Sequence, residues 1–288
     1  MPRHPLFLMG LSSVCFAFMA LAAKMAAARL SGGEVAFFRF AFMMLPVVLA
    51  PSVARKALTW QRLDLLFYRG LFGGTAVVLY FLAIAHVPVG IATLLNYSSP
   101  IFSVAFAATF LGERVDRRLL APLAAALAGV ALVAGGGAKT GEALRFGGWE
   151  AAGLASAVLS GAAVAAIRAA RRTEGSWAIY GSFTLFGLLA AAPVGLRGFQ
   201  PPTPREWLLL AAVGATSVAA QLLMTYAYRW VTNLQAGVLS QLTVVLSMGF
   251  GAFLLGDRLR PLQLLGSALT LAGVVGVVWI QSTPRAVE

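Results

Sequence analysis

Ten stretches of this chain are almost wholly apolar, and short groups of Gly, Pro or charged residues separate them. A helix of roughly 20 apolar residues crosses the hydrocarbon core of a bilayer, and stretches of that length recur from one end of the sequence to the other. The pattern predicts helices over residues 5–28, 34–52, 64–85, 89–111, 118–137, 148–168, 177–196, 206–229, 233–255 and 261–281. Breakers fall at the cuts: Ser31-Gly32-Gly33, Val87-Pro88-Val89-Gly90, Gly135-Gly136-Gly137 and the irregular run Gln200-Pro201-Pro202-Thr203-Pro204. Pro261 suits the first turn of the last helix, where its missing N–H costs nothing. The first stretch, Phe7 to Ala28, is too long for the core of a signal peptide and reads as a retained span.

Composition explains why the runs are so continuous. Of 288 residues 60% are hydrophobic and 11% charged, with a mean hydropathy of +0.84. A soluble domain carries about 25% charged residues to hold its water. The expected fold class is therefore all-α integral membrane, with ten transmembrane helices and no room for a soluble domain. A net charge of +12 would suggest nucleic acid in a soluble protein. Here the basic residues cluster between spans and act as topology signals, so the expected surroundings are a lipid bilayer and no nucleic acid. With the N-terminus cytoplasmic, thirteen basic residues face the cytoplasm, Arg55, Lys56, Arg62 and Arg69 among them, against eight on the other side, Lys24 and Arg29 included. That bias predicts a bacterial-type inner (plasma) membrane protein with both termini cytoplasmic. Cys15 is the one cysteine, so no intramolecular disulfide forms, and it reads as a small buried hydrophobe.

The charge bias is shallow because the chain repeats itself. Residues Ala83 to Gly135 align without a gap onto Ala227 to Trp279, at an offset of 144. Leu111-Gly112-Glu113-Arg114 falls on Leu255-Gly256-Asp257-Arg258, Ala128-Gly129-Val130 on Ala272-Gly273-Val274, and Lys24 on Arg168. The offset is half the chain, so residues 1–144 and 145–288 each form a five-helix repeat, and an odd number of spans inverts the second. Inverted repeats recur in secondary transporters. With the two Gly-acid-Arg turns and the phrase Phe37-Phe38-Arg39-Phe40, the chain resembles the drug/metabolite transporter superfamily in its EamA-type branch, over essentially its whole length. Within that branch it looks closest to bacterial exporters of aromatic and other neutral amino acids. The resemblance implies export of metabolites from the cytoplasm without an ATPase partner.

Polar side chains at mid-span face a bundle interior or a cavity rather than lipid. The fourth span carries Thr93, Asn96, Ser99 and Ser103 on one face, and its repeat mate carries Gly237, Ser240, Thr243 and Ser247. The eighth offers Ser217, Gln221, Thr225 and Tyr228, the sixth Ser160, the first Phe16, the third Tyr80, and Gln241 adds a second amide to the ninth. The candidate substrate-binding set is Phe16, Tyr80, Asn96, Ser99, Ser103, Ser160, Gln221, Thr225, Ser240, Gln241 and Thr243. Each hydroxyl also has a structural reading, since small polar residues bond back to their own helix or let helices pack closely. The amides of Asn96, Gln221 and Gln241 favour the cavity, because each needs several partners in hydrocarbon. Lys24, Arg39 and His86 are candidates for ion coupling or for contact with a carboxylate; the structural readings are snorkelling, backbone satisfaction and an interfacial position.

Other functions fit less well. An intramembrane enzyme needs a nucleophile with its base, paired acids or a metal cluster, and two histidines with one cysteine provide none. Neither a metal nor a cofactor is expected. A filter segment for a channel is not readable, and the loops are too short for a scaffold. No Asp or Glu occupies the middle of a span, which points to a facilitator driven by the solute's own gradient. The predicted activity is export of small metabolites, amino acids of aromatic or neutral type, by alternating access through a central cavity between the repeats. Another small solute (a drug, amine or nucleoside) and a narrow channel stay open as alternatives, and so does the oligomeric state.

Overall fold

The structure is a computed structural model that describes residues 4–102, 106, 109, 117–135, 147–170, 173–227 and 233–282. These residues form helices and the turns between them: α1 (His4–Ala26), α2 (Gly32–Leu49), α3 (Pro51–Leu58), α4 (Leu63–His86), α5 (Val89–Tyr97), α6 (Leu120–Gly135), α7 (Gly148–Ala170), α8 (Ser176–Gly195), α9 (Pro204–Ala227), α10 (Asn233–Leu254) and α11 (Pro261–Ser282). Six of them, α1, α2, α4, α7, α8 and α9, are long and apolar enough to cross a membrane by themselves. Shorter apolar stretches in α6, α10 and α11, together with α5, account for the other predicted spans.

Caps move two of the predicted boundaries. The second span begins at Gly32 rather than residue 34, because Ser31 Oγ accepts the Glu34 N–H (3.1 Å) while the Glu34 carboxylate accepts the Ser31 N–H (2.7 Å). The eighth begins at Pro204 rather than residue 206, with Thr203 and Glu206 exchanging the same pair of bonds around a proline that needs no partner. At its other end α2 stops at Leu49, since Ala50 precedes a proline and is extended. Pro51 then starts α3, a short helix that the hydropathy pattern misses. It is amphipathic rather than apolar: Arg55 and Lys56 are exposed, and Ala57 is buried against Gly181 of α8. The fourth span is also interrupted. Pro100 has no N–H for the Asn96 carbonyl, and the helix tightens at Ser98, whose N–H and Oγ both bond the Leu95 carbonyl (3.3 and 2.6 Å).

The repeat is visible in the packing. Five spans lie on each side of the midpoint, and the most extensive helix contacts among the described residues have counterparts at an offset of 144 residues. α4 packs on α7 as α9 packs on α1, α4 on α8 as α9 on α2, and α10 on α1 as α5 on α7. Three pairs of repeat mates pack on each other: α2 with α8, α5 with α10, and α6 with α11. Single residues obey the same rule. Gly70 lies against Phe186, and their mates Gly214 and Phe42 meet in the same way; Gly129 lies against Thr270, as Gly273 does against Ala126. A rotation that exchanges two five-span halves must also invert them, so the pseudo-two-fold axis lies in the membrane plane.

These glycines hold helices together rather than leaving them free. The backbone of α4 approaches that of α8 so closely at Gly74 that a Cβ there would lie 2.5 Å from the Cα of Gly187. Gly74→Ala is expected to destabilise the detergent-solubilised protein by about 1–3 kcal/mol through overpacking. Gly10→Ala, at a position with no neighbour within 4 Å, is the control and should stay within about 0.5 kcal/mol of the parent. Equal melting of the two variants would show that the α4–α8 contact does not limit stability.

Candidate functional site

Where a residue packs on its own repeat mate, both lie close to the axis that exchanges the repeats. Arg39 of α2 and Phe183 of α8 are such a pair, at the offset of 144, and the Arg39 guanidinium lies 5.8 Å from the centre of the Phe183 ring. The contact joins the two repeats, and both residues are buried in the interior of the bundle. Arg39 is 3% exposed. Its Nε donates to Ser217 Oγ on α9 (2.9 Å), and the rings of Phe40 and Phe81 lie 5.3 and 5.5 Å from the guanidinium. Tyr97, Tyr80 and Tyr180 are its electrostatic neighbours, and Nη1 is buried with no hydrogen-bond acceptor. Glu34, five residues earlier, does not pair with it, because its carboxylate is held by the N–H groups of Ser31 and Gln200.

Around this centre lies a belt of polar contacts between helices. Tyr80 of α4 meets Thr93 Oγ1 of α5 at 2.9 Å. Thr93 already gives its proton to the Val89 carbonyl (2.7 Å), so Tyr80 is the donor. Asn96 Nδ2 reaches across to α7, to Ser156 Oγ (2.9 Å) and Ser160 Oγ (3.4 Å). On the other side of the axis Ser12 donates to the Ala220 carbonyl and Ser13 to that of Leu239, while Thr243 donates to the Ser13 carbonyl. Gln221 and Gln241 are buried; Phe16, Ser99 and Ser240 are half-buried. Ser103 lies outside the described residues, as does Tyr228, and Thr225 is described only as a helical position. Tyr226, near the end of α9, is 57% exposed and belongs to the outer surface.

Lys24 and His86 sit away from this centre, at the end of the bundle where α1 stops and α5 starts. Lys24 Nζ donates to the Val87 carbonyl (2.8 Å). Asp257 Oδ2 accepts the N–H of Val89, the first residue of α5 (3.1 Å), and so places a carboxylate at a helix N-terminus. The Gly-acid-Arg turn is built for that contact. Gly256 takes φ +69°, a left-handed conformation that ends α10 and swings the acid onto its neighbour. His86 is exposed, donates Nδ1–H to the Leu82 carbonyl (2.8 Å) and stacks on Trp149 at 3.6 Å. Between α1 and α2, Arg29 clamps Glu206 (2.5–2.6 Å) and also reaches Gln200 and the Pro201 carbonyl. The bonds to Glu206 push its guanidinium above an already high pKa, so it stays charged.

Two contributions escaped the sequence reading. Arg69, counted there among the cytoplasmic topology charges, is 6% exposed and lies 4.3 Å from the other side chain's shared ring, Phe183. The signal was Gly73, one turn on, where any side chain would strike the Arg69 guanidinium. Asp257 was read as part of a turn motif, with no sign that it caps a helix of the other repeat. Gly70 and Gly74 face α8, and Gly73 faces the Arg69 guanidinium. Among the described residues no group of His, Cys, Asp or Glu could hold a metal ion.

Comparison with known proteins agrees with this architecture. The family described as the EamA-like transporter family matches twice, over residues 4–135 and 148–279, at the offset of the internal repeat. The chain is 32% identical over 269 residues to the pseudopaline exporter of Pseudomonas aeruginosa, covering 93% of this chain and 91% of that protein. A probable terminal-alkyne amino-acid exporter of Streptantibioticus cattleyicolor is 33% identical over 203 residues, 66% of this chain and 64% of its own length. A crystal structure sharing 21% identity superposes with a TM-score of 0.65 over 97% of this chain and 99% of that one, which shows a common fold. A multi-pass helical membrane protein with two copies of one repeat, the chain belongs to the EamA-like transporter family.

Proposed function

We propose that this transporter exports a small metabolite of amino-acid type, aromatic or neutral, by alternating access along a path between residues 1–144 and 145–288. The observation that carries the reading is the polar belt inside the bundle: Asn96 bridges the two repeats to Ser156 and Ser160, Tyr80 bonds Thr93, and the amides Gln221 and Gln241 are buried. Buried hydroxyls and amides between rigid halves offer a neutral polar solute exchangeable partners, and substrate sites of inverted-repeat carriers lie at that interface. Relatives named as exporters of pseudopaline and of a terminal-alkyne amino acid support the direction and the solute class. Both termini face the cytoplasm in a bacterial-type inner membrane, and the solute's own gradient drives the cycle. His86, exposed and stacked on Trp149, takes no part in proton coupling.

Two outcomes are expected with the purified full chain in liposomes without ATP. Labelled amino acids enter saturably, compete with one another, and outrun amines and nucleosides. Asn96→Leu, which removes the bridge to α7 while Ser156 keeps its own bond to the Gly153 carbonyl, cuts that flux by about ten-fold with melting unchanged. Silence of every amino acid from a folded protein would sink the solute class. His86→Ala is expected to leave flux within about two-fold, a change of under 0.5 kcal/mol. A proton flux that follows the solute and disappears in that variant would overturn the uncoupled mechanism.

A further inference from the structure

Resting on the export reading, we propose that Arg39 is the anchor for the solute's carboxylate, and that the transporter therefore selects carboxylate-bearing solutes over their amides and amines. A guanidinium 3% exposed has lost its water, at a cost of several kcal/mol in a protein interior. What surrounds it returns only part of that: one neutral bond to Ser217 Oγ and the faces of three rings. The two ion pairs among the described residues, Arg29 with Glu206 and Arg62 with Asp64, lie elsewhere. The charge at the centre thus lacks a carboxylate partner from the described residues, and Nη1 has an N–H with nothing to accept it. A ligand carboxylate supplies both the counter-charge and the acceptor.

Position and asymmetry sharpen the assignment. Arg39 meets its own repeat mate, Phe183, so the cation stands at the interface of the two repeats, where both halves must move past it in a transport cycle. The repeat provides a cation on one side of the axis and an aromatic ring on the other. That composition gives one carboxylate site beside an apolar wall of Phe40, Phe81 and Phe183, with the tyrosine hydroxyls of Tyr80 and Tyr97 near by. Ser217 acts as a positioning residue, since it fixes Nε and thereby the direction of Nη1.

The test is binding to the purified full chain in nanodiscs, read by thermal shift and by competition with a labelled amino acid. The panel holds amino acids with their matched amides and decarboxylated amines, and inorganic phosphate. The acid is expected to bind at least about ten-fold more tightly than its amide or amine, with phosphate inert. Arg39→Gln should erase the preference, Arg39→Lys should weaken it about ten-fold by losing the directed N–H, and Ser217→Ala should weaken it a few-fold. Equal binding of acid, amide and amine to the parent overturns the proposal, as does an unchanged preference in Arg39→Gln or a complete lack of binding. If Arg39→Gln does not fold, Arg39→Lys and Ser217→Ala carry the same decision. The two readings fail separately. Carboxylate preference without flux in liposomes sinks export and leaves the site, whereas flux of amines equal to that of amino acids and untouched by Arg39→Lys sinks the site and leaves export.

Discussion

Lipid tails are as apolar as leucine, so the helices of this protein gain little by hiding leucine from them. What holds the bundle is fit, and fit here means places where one helix lets another come within backbone contact. Gly74 against Gly187, Gly70 against Phe186 with its counterpart Gly214 against Phe42, and Gly129 against Thr270 with Gly273 against Ala126 are those places. Most of them join one repeat to the other. The two halves are therefore a single packed body related by the repeat, and the polar side chains between them are placed by that packing.

The shared axis also explains why the polar chemistry gathers where it does. Side chains near it are buried by both halves at once. Most polar groups there find neighbours across helices, Asn96 on α7 and Tyr80 on α5 among them. Arg39 is different because its repeat mate is a phenylalanine: the duplication supplied the position twice and the cation once. A second buried guanidinium, Arg69, approaches the same Phe183 ring, so an aromatic side chain on the axis is flanked by two positive charges. At the end of the bundle the arrangement is closed and local by contrast: Lys24 on a carbonyl, Asp257 on a helix N-terminus, Arg29 on Glu206.

The spans and the internal repeat were determined by the sequence alone, because hydrocarbon solvent forces helices of fixed length and a duplicated chain keeps its offset of 144 residues. The burial of Gln221 and Gln241 was also legible, since a primary amide in a span has to find partners inside the bundle. The short helix at Pro51–Leu58 was not, as eight residues with two charges carry no spanning signal. Nor were the roles of the arginines. Hydropathy places a residue along a span but says nothing of the face it presents, and one turn separates a charge that reaches the headgroups from one sealed among rings. Only the packing of α2, α4, α8 and α9 decided that Arg39 meets Phe183 and Ser217, and that Arg69 turns inward over Gly73. Contacts between residues far apart in the chain depend on which helices lie side by side, and that is a property of the bundle, not of any one segment.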